Sequence, residues 1–229
     1  MQRAYHWEDK EQGHFKLPGQ KSRLLTKGDC NLTIAATGGC SRMAEGLTEV
    51  LEKNEMESPD GENYFESIVM ITDRDESSTE SSFIQKIEAV LSEKQIILKD
   101  KIENNQWNML EMTTRAGDKI RIKLLVLVIP FDEEGAMETF LLKAISRQDE
   151  YDANIIKDCE YFIKNTDQGR RYLSKRRLIV KAKFDAYFCV RTAAEQFNER
   201  RNILKNIPWE NYAETQKVFR QLENVADME

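Results

Sequence analysis

The chain has 229 residues, 40% of them hydrophobic and 32% charged, enough for one substantial core or for a core domain plus an appendage. A net charge of −6 and a pI near 5.3 exclude bulk attraction to nucleic acid or an anionic membrane, so a polyanionic partner would have to be held by local basic patches or through a metal. No apolar run reaches the roughly 20 residues of a membrane span, and the start, MQRAYHWEDKEQGHFK, lacks the apolar centre of a signal peptide; both predict a soluble, cytoplasmic protein with no membrane partner.

Residues 1–30 are polar, with scattered aromatics and a Pro18-Gly19 turn signal, and read as an irregular lead-in. NLTIAATGG, residues 31–39, is β-branched and apolar and ends in two glycines, which predicts a short strand and a turn. SRMAEGLTEVLEKN follows, with Met43, Leu47, Val50 and Leu51 at helical spacing. Ser41 is placed to be its N-cap and Glu45 stands in its first turn. MESPDGENY (56–64) is a loop. SIVMITD (67–73) is a second strand, and STESSFIQKIEAVLSEK a second helix with a stripe of Phe83, Ile87, Val90 and Leu91. Two strand–helix units in succession predict an α/β fold whose sheet is mostly parallel.

Residues 107–130 change character. WNMLEM leads to a turn at Ala116-Gly117-Asp118, and KIRIKLLVLVIP passes from alternation to a continuous apolar run closed by Pro130. That pattern predicts a strand whose second half is buried on both faces. From Glu134 onward the periodicity is helical: EEGAMETFLLKAI, EYDANIIKDCEYFIKNT, RLIVKAKFDAYFCVRTA and WENYAETQKVFRQLENV. The predicted organisation is a lead-in (1–30), an α/β domain (31–147) and a helical C-terminal region packed on it (148–229).

The chemistry concentrates after the apolar strands. Asp73, Arg74, Asp75 and Glu76 follow SIVMIT directly. Alternation along an extended segment puts Asp73 and Asp75 on one side. Neighbouring carboxylates raise each other's pKa unless a positive charge lies between them, and a divalent cation is the usual remedy. Mg²⁺ takes one or two carboxylates, several waters and substrate phosphate. A solvated loop after a strand also carries acidic residues, but the ends of strands are where α/β sheets bind ligands. A second acidic group, Asp132, Glu133 and Glu134, follows Pro130, with Glu138 one turn further on. If the two strands are parallel neighbours, both groups share one sheet edge. Helix N-terminal preference accounts for Glu133 and Glu134 but poorly for Glu138.

Gly38, Gly39 and Ser41 could bring backbone amides to a phosphate at a helix N-terminus, although a tight turn explains the glycines equally well. Against the acidic background, basic residues cluster at Arg170-Arg171, Lys175-Arg176-Arg177, Lys181, Lys183 and Arg200-Arg201. Arg176, Arg177, Lys181 and Lys183 are candidates to hold a nucleic-acid backbone; a solvated helix face is the competing explanation. The two histidines, His6 and His14, lie in the lead-in, so no His-based triad is indicated. The four cysteines form no C-x-x-C pair and read as ordinary thiols.

The order of these pieces resembles a bacterial Toprim-like family of uncharacterised proteins. The pieces are a Gly-Gly strand–helix unit, an apolar strand ending in D-x-D, a G-x-x-E-x-x-L-L segment (Gly135 to Leu142) and helices containing KAKFDAYF. That family is related to the Toprim domains of overcoming-lysogenisation-defect nucleases, topoisomerases and primases. The resemblance covers roughly residues 31–225. It implies a Toprim-like Rossmannoid sheet, with Mg²⁺ or Mn²⁺ held by Asp73, Asp75 and Glu138, which would also be the catalytic residues. On the residue pattern Glu76 is a further candidate metal ligand, and either Glu76 or Glu138 could orient a second metal or a water. The implied activity is nuclease-like hydrolysis of nucleic-acid phosphodiesters, in defence or DNA repair. One element departs from the pattern: no apolar strand ending in Glu-Gly precedes residue 31, Glu11 near Gly13 follows no strand, and Glu45-Gly46 falls inside a predicted helix.

That departure keeps a second function open, a catalytically inactive nucleic-acid or nucleotide binding subunit, working as a homodimer or in a larger complex. ITDRDES also fits the start of a haloacid-dehalogenase phosphatase, with Asp73 as nucleophile, although Ser77 replaces the usual Thr or Val and no Gly-Asp-Gly-x-x-x-Asp follows.

Overall fold

The computed structural model describes residues 8–10, 21–27, 30–37, 40–56, 64–192, 204 and 207–222. These fall into two compact units. One takes the described residues up to Thr72 and from Glu80 to Leu127; the other takes Asp73–Thr79 and those from Val128 onward. The boundary expected after residue 147 therefore falls inside the second unit.

In the first unit, the segment read as an irregular lead-in contributes two strands, β1 (Glu8–Lys10) and β2 (Lys21–Lys27). With β3 (Cys30–Ala36) they make an antiparallel sheet in the order β1-β2-β3, Leu24 opposite Thr33 and Leu25 opposite Leu32. The strand expected at 31–39 is thus real but is not the first strand of a parallel sheet. Only Gly28 and Asp29 separate β2 from β3, and a connection that short permits antiparallel pairing alone.

Helix α1 (Cys40–Met56) begins before Ser41, which lies inside the helix rather than at its cap. Leu47 and Leu51 are its buried apolar residues. Asn54 near its end is fully buried and satisfied: its amide donates to the Phe65 carbonyl at 2.9 Å and its oxygen accepts from the Phe65 N–H at 2.7 Å. Those two bonds tie the end of α1 to the approach of β4 (Ser67–Asp73). Helix α2 (Thr79–Glu93) buries the predicted stripe of Phe83, Ile87, Val90 and Leu91.

A short β5 (Ile97–Leu98), β6 (Trp107–Thr113) and β7 (Lys119–Ile129) complete a four-stranded sheet in the order β4-β7-β6-β5. Pairs β5–β6 and β6–β7 are antiparallel. Strands β4 and β7 run in the same direction: the Lys123 N–H donates to the Glu66 carbonyl and the Arg74 N–H to the Ile129 carbonyl, advancing together along both strands. The sheet is therefore mixed, not mostly parallel. The reason is local: Gly117 adopts φ +94°, and the tight turn it allows folds β7 straight back on β6 where a parallel pair would need a crossover. Along β7 burial alternates through Ile122 and is continuous from Leu124 to Ile129, the predicted transition. β7 lies between β4 and β6 in the sheet.

The second unit is helical: α3 (Met137–Gln148), α4 (Glu150–Thr166), α5 (Arg176–Arg191) and α6 (Ala213–Phe219). Asp149 caps α4, accepting from the Tyr151 and Asp152 amides at 2.8 and 3.1 Å. Leu142, Ile145, Ile156, Tyr187, Phe188 and Tyr212 form its core. Arg191 joins α5 to α4, donating to Asp152 at 2.8 Å and to the Tyr187 hydroxyl at 2.5 Å. The final helix expected over 209–225 is broken. A 3₁₀ turn at Trp209–Asn211 is followed by extended Tyr212, then α6 and a second 3₁₀ turn at Arg220–Leu222. Trp209 and Tyr212 meet edge to face at 5.6 Å, a packing that an uninterrupted helix would rearrange. Among the described residues the cysteines form no disulfide, and no helix is long and apolar enough to cross a membrane.

Candidate functional site

Because β4 and β7 are parallel neighbours, their carboxyl ends open on one edge, and the two acidic segments meet there within the second unit. The chain after β4 bonds to the chain after β7: the Arg74 N–H donates to Ile129, and the Gly135 N–H donates to the Arg74 carbonyl, both at 2.7 Å. The Arg74 Nε adds a bond to the Pro130 carbonyl at 2.7 Å. Residue 135 has no room for a side chain, since a Cβ there would lie 2.8 Å from Cβ and Oγ1 of Thr139.

Asp73 ends β4 and is half-buried. Its Oδ1 accepts from the Met137 N–H, the first amide of α3, at 2.8 Å. The N-cap residue of α3 is Ala136, which has no side-chain acceptor. Asp73, 64 residues upstream, therefore stands in for the missing cap. Burial pushes its carboxyl above the ordinary range, the Met137 bond opposes this, the charges on Glu138 and then Asp75 push it up further, and Lys181 pulls it down. So Asp73, Glu138, Asp75 and Lys181 share one electrostatic neighbourhood.

The other predicted residues take distinct positions. Glu138, largely buried at 23% side-chain exposure, lies 4.0 Å from the Lys181 Nζ. Asp75 and Glu76 are exposed; the Glu76 N–H donates to the Thr79 hydroxyl at 2.9 Å, which shapes the entry to α2. Glu134 is held by two elements: its Oε1 accepts from the Ser77 N–H at 2.9 Å and its Oε2 pairs with Arg176. These bonds to its ionised form hold the Glu134 carboxyl below the ordinary range.

Of the four residues expected to hold nucleic acid, Arg176 does something else. Besides the Glu134 ion pair, it donates to the Glu134 carbonyl at 2.8 Å and the Asp75 carbonyl at 3.3 Å, fastening both acidic loops to the start of α5. Lys183 is paired with Glu160 at 3.0 Å. Lys181 is exposed beside Glu138, and Arg177 is exposed. Gly38 and Gly39, expected to bind phosphate, lie outside the described residues; so do Arg200 and Arg201, and of Ser41 only the backbone is described.

Among the described residues no three His, Cys, Asp or Glu side chains are grouped so as to hold one metal ion. The predicted ligands Asp73, Asp75, Glu76 and Glu138 thus do not form a closed cage. The donor chemistry fits a looser site: hard carboxylate oxygens, one of them desolvated, and one oxygen of Asp73 not committed to Met137. Such a set suits a hydrated Mg²⁺ or Mn²⁺ resting on one or two carboxylates.

A family model described as "Protein of unknown function (DUF3226)" matches residues 14–225. The chain belongs to this DUF3226 family. No curated protein and no solved structure matches it. The family brings no ligand or reaction with it, so for this DUF3226 member the chemistry must come from the residues. Two were not read from sequence in their actual roles, Asp73 as a remote cap and Arg176 as a clamp. One signal was present: G-A-M-E opens a helix without a Ser, Thr, Asp or Asn at its cap, which leaves an amide needing an acceptor from elsewhere.

Proposed function

We propose that this chain is a Toprim-like protein that acts on nucleic-acid phosphodiesters with Mg²⁺ or Mn²⁺, in a cytoplasmic setting. The environment of Asp73 carries this reading: a half-buried carboxylate at a strand end, with two more carboxylates near enough to raise its pKa and a lysine near enough to lower it. Acids kept close together against their repulsion, beside a cation, cluster at functional sites, although structural ion-pair networks produce the same shift. Asp73 and Glu138 would hold the ion, with Asp75 and Glu76 on the exposed side. The ion would supply Lewis-acid polarisation of a phosphoryl oxygen. Met137 fixes the Asp73 carboxylate through one oxygen and so orients the other. Lys181 would exchange its contact with Glu138 for a substrate phosphate.

The ion pairs within the chain favour a second reading. With Arg176 on Glu134 and Lys181 beside Glu138, part of the acidic charge is already balanced. A binding or partner subunit, alone as a homodimer or in a larger complex, needs no more than that. To separate the two, plasmid and labelled single and double strands would be incubated with Mg²⁺, Mn²⁺ or EDTA, beside an Asp73→Ala/Asp75→Ala double variant and Glu138→Gln. The catalytic reading expects metal-dependent nicking that both variants abolish. Cleavage that survives in the double variant would sink it, and metal-independent binding without cleavage would support the partner subunit.

A further inference from the structure

The loop between α4 and α5 carries an unusual charge. From Lys164 to Arg177 the only carboxylate is Asp167, against Lys164, Arg170, Arg171, Lys175, Arg176 and Arg177, in a chain whose net charge is −6. That one carboxylate faces its own backbone: it accepts from the N–H groups of Arg171, Tyr172 and Leu173 at 3.0, 2.9 and 2.7 Å. The Arg170 N–H donates to the Asp167 carbonyl at 2.9 Å, with Arg170 at φ +49°. The loop is therefore held in one shape from within, and its cations Arg170, Arg171 and Lys175 are exposed, as is Arg177 in the first turn of α5.

At its centre is an aromatic ring in water. Tyr172 is 71% exposed, and the Arg171 guanidinium lies 5.2 Å from its ring centroid. Tyr161 and Phe162, near the end of α4, are exposed as well. A tyrosine this open contributes little to a core. Rings set among cations on a preformed loop have the composition that stacks bases while the cations follow phosphates. Duplex DNA hides its base faces and would leave the rings unused. A membrane surface would be attracted by the charge, but the preformed loop and the guanidinium beside the ring suit a base better than a headgroup layer.

We infer that this loop is a platform for single-stranded nucleic acid, with a base stacked on Tyr172 and phosphates beside Arg170, Arg171 and Arg177. This deepens the phosphodiesterase reading by naming the strand form, and rests on that reading for cleavage but not for binding. The loop leads into Arg176, which bonds both acidic loops.

The test is fluorescence anisotropy in EDTA with labelled oligo(dT), the corresponding dA·dT duplex, and phosphatidylserine vesicles as a competitor. Oligo(dT) should bind more tightly than the duplex. Tyr172→Ala should weaken it by about 5- to 160-fold, the range one base–aromatic stack carries, while Tyr172→Trp retains it. Arg170→Gln/Arg171→Gln should flatten the dependence of log K on log salt by about 0.7 for each phosphate that the variant no longer neutralises. Equal binding of strand and duplex, indifference to Tyr172→Ala, or binding to vesicles alone would overturn the proposal. Tyr172-dependent binding in EDTA, with no cleavage once Mg²⁺ or Mn²⁺ is supplied, would overturn only the phosphodiesterase reading. Cleavage indifferent to Tyr172→Ala, with unchanged strand binding, would overturn only the loop.

Discussion

Replacing Asp73 by Asn and by Ala separates its two roles. Asn keeps an oxygen for the Met137 N–H, now bonded at 2.8 Å, and removes the charge. Ala removes both and leaves the first amide of α3 without its acceptor, at a helix start where Ala136 offers none. Losing a helix-terminal acceptor costs about 1–2 kcal/mol, so Asp73→Ala should be less stable than Asp73→Asn by that amount at pH 7. The charge has the opposite sign. The folded-state pKa of Asp73 lies above its ordinary value of 3.8, mainly through burial and then through Glu138 and Asp75. Below the ordinary value both folded and unfolded chains are protonated and no penalty exists. As pH rises through the raised value, the wild type loses stability relative to Asp73→Asn, and above it the penalty is complete. Urea unfolding from pH 3.5 to 8 (roughly the span of ordinary and raised carboxylate pKa values) would follow both differences. A divalent cation at about a hundred times its Kd should stabilise the wild type by about 2.7 kcal/mol and leave Asp73→Asn unmoved. An Ala variant as stable as the Asn variant would refute the capping role. A wild type that gains on Asp73→Asn as pH rises without metal would refute the electrostatic argument.

Gly135→Ala places a methyl group 2.8 Å from Thr139 Cβ, a β-branched side chain with little freedom to move. The expected cost is about 1–3 kcal/mol, read as a fall of roughly 2–4 °C in Tm per kcal/mol; adding Thr139→Ala should recover part of it, and a neutral Gly135→Ala would show that the loop relaxes. Asp167→Ala should speed amide exchange at residues 171–173. Its ionised form is favoured by three N–H bonds, so its folded pKa is lowered. The wild type's advantage in Tm should hold above the ordinary carboxylate pKa and disappear as pH falls through the lowered one.

Much of the local structure was legible because its signals are short-range. The stripe Phe83, Ile87, Val90, Leu91 is a helix with one buried face, and it is buried. The shift in KIRIKLLVLVI from alternation to a continuous apolar run marks a strand with both faces covered, and β7 is buried without a break from Leu124 to Ile129. Asp73 and Glu138 both stand out by their places, after an apolar strand and in a helix's first turn, and the Glu138 charge raises the pKa of Asp73 in the folded chain. Pairing was harder to read. β3 has a strand's composition whichever neighbour it takes, and only the brevity of the Gly28-Asp29 connection indicates β2. The Gly117 turn likewise decided that the larger sheet would be mixed.

Sequence by itself determined where charge and apolar surface lie along this chain, because residue identity and period act over a few positions. Tertiary structure decided what those charges do. Asp73 became the cap of a helix 64 residues away, because parallel β4 and β7 bring the Met137 amide to it. Arg176, one more cation in a basic run when read along the chain, became the clamp on two acidic loops because α5 begins beside them. Arg170 and Arg171, in that same run, stayed in solvent on a loop whose only carboxylate turns inward. Pattern along the chain cannot tell such cations apart, because a long side chain's partner is set by which segments meet in space, and that is fixed only when the strands pair.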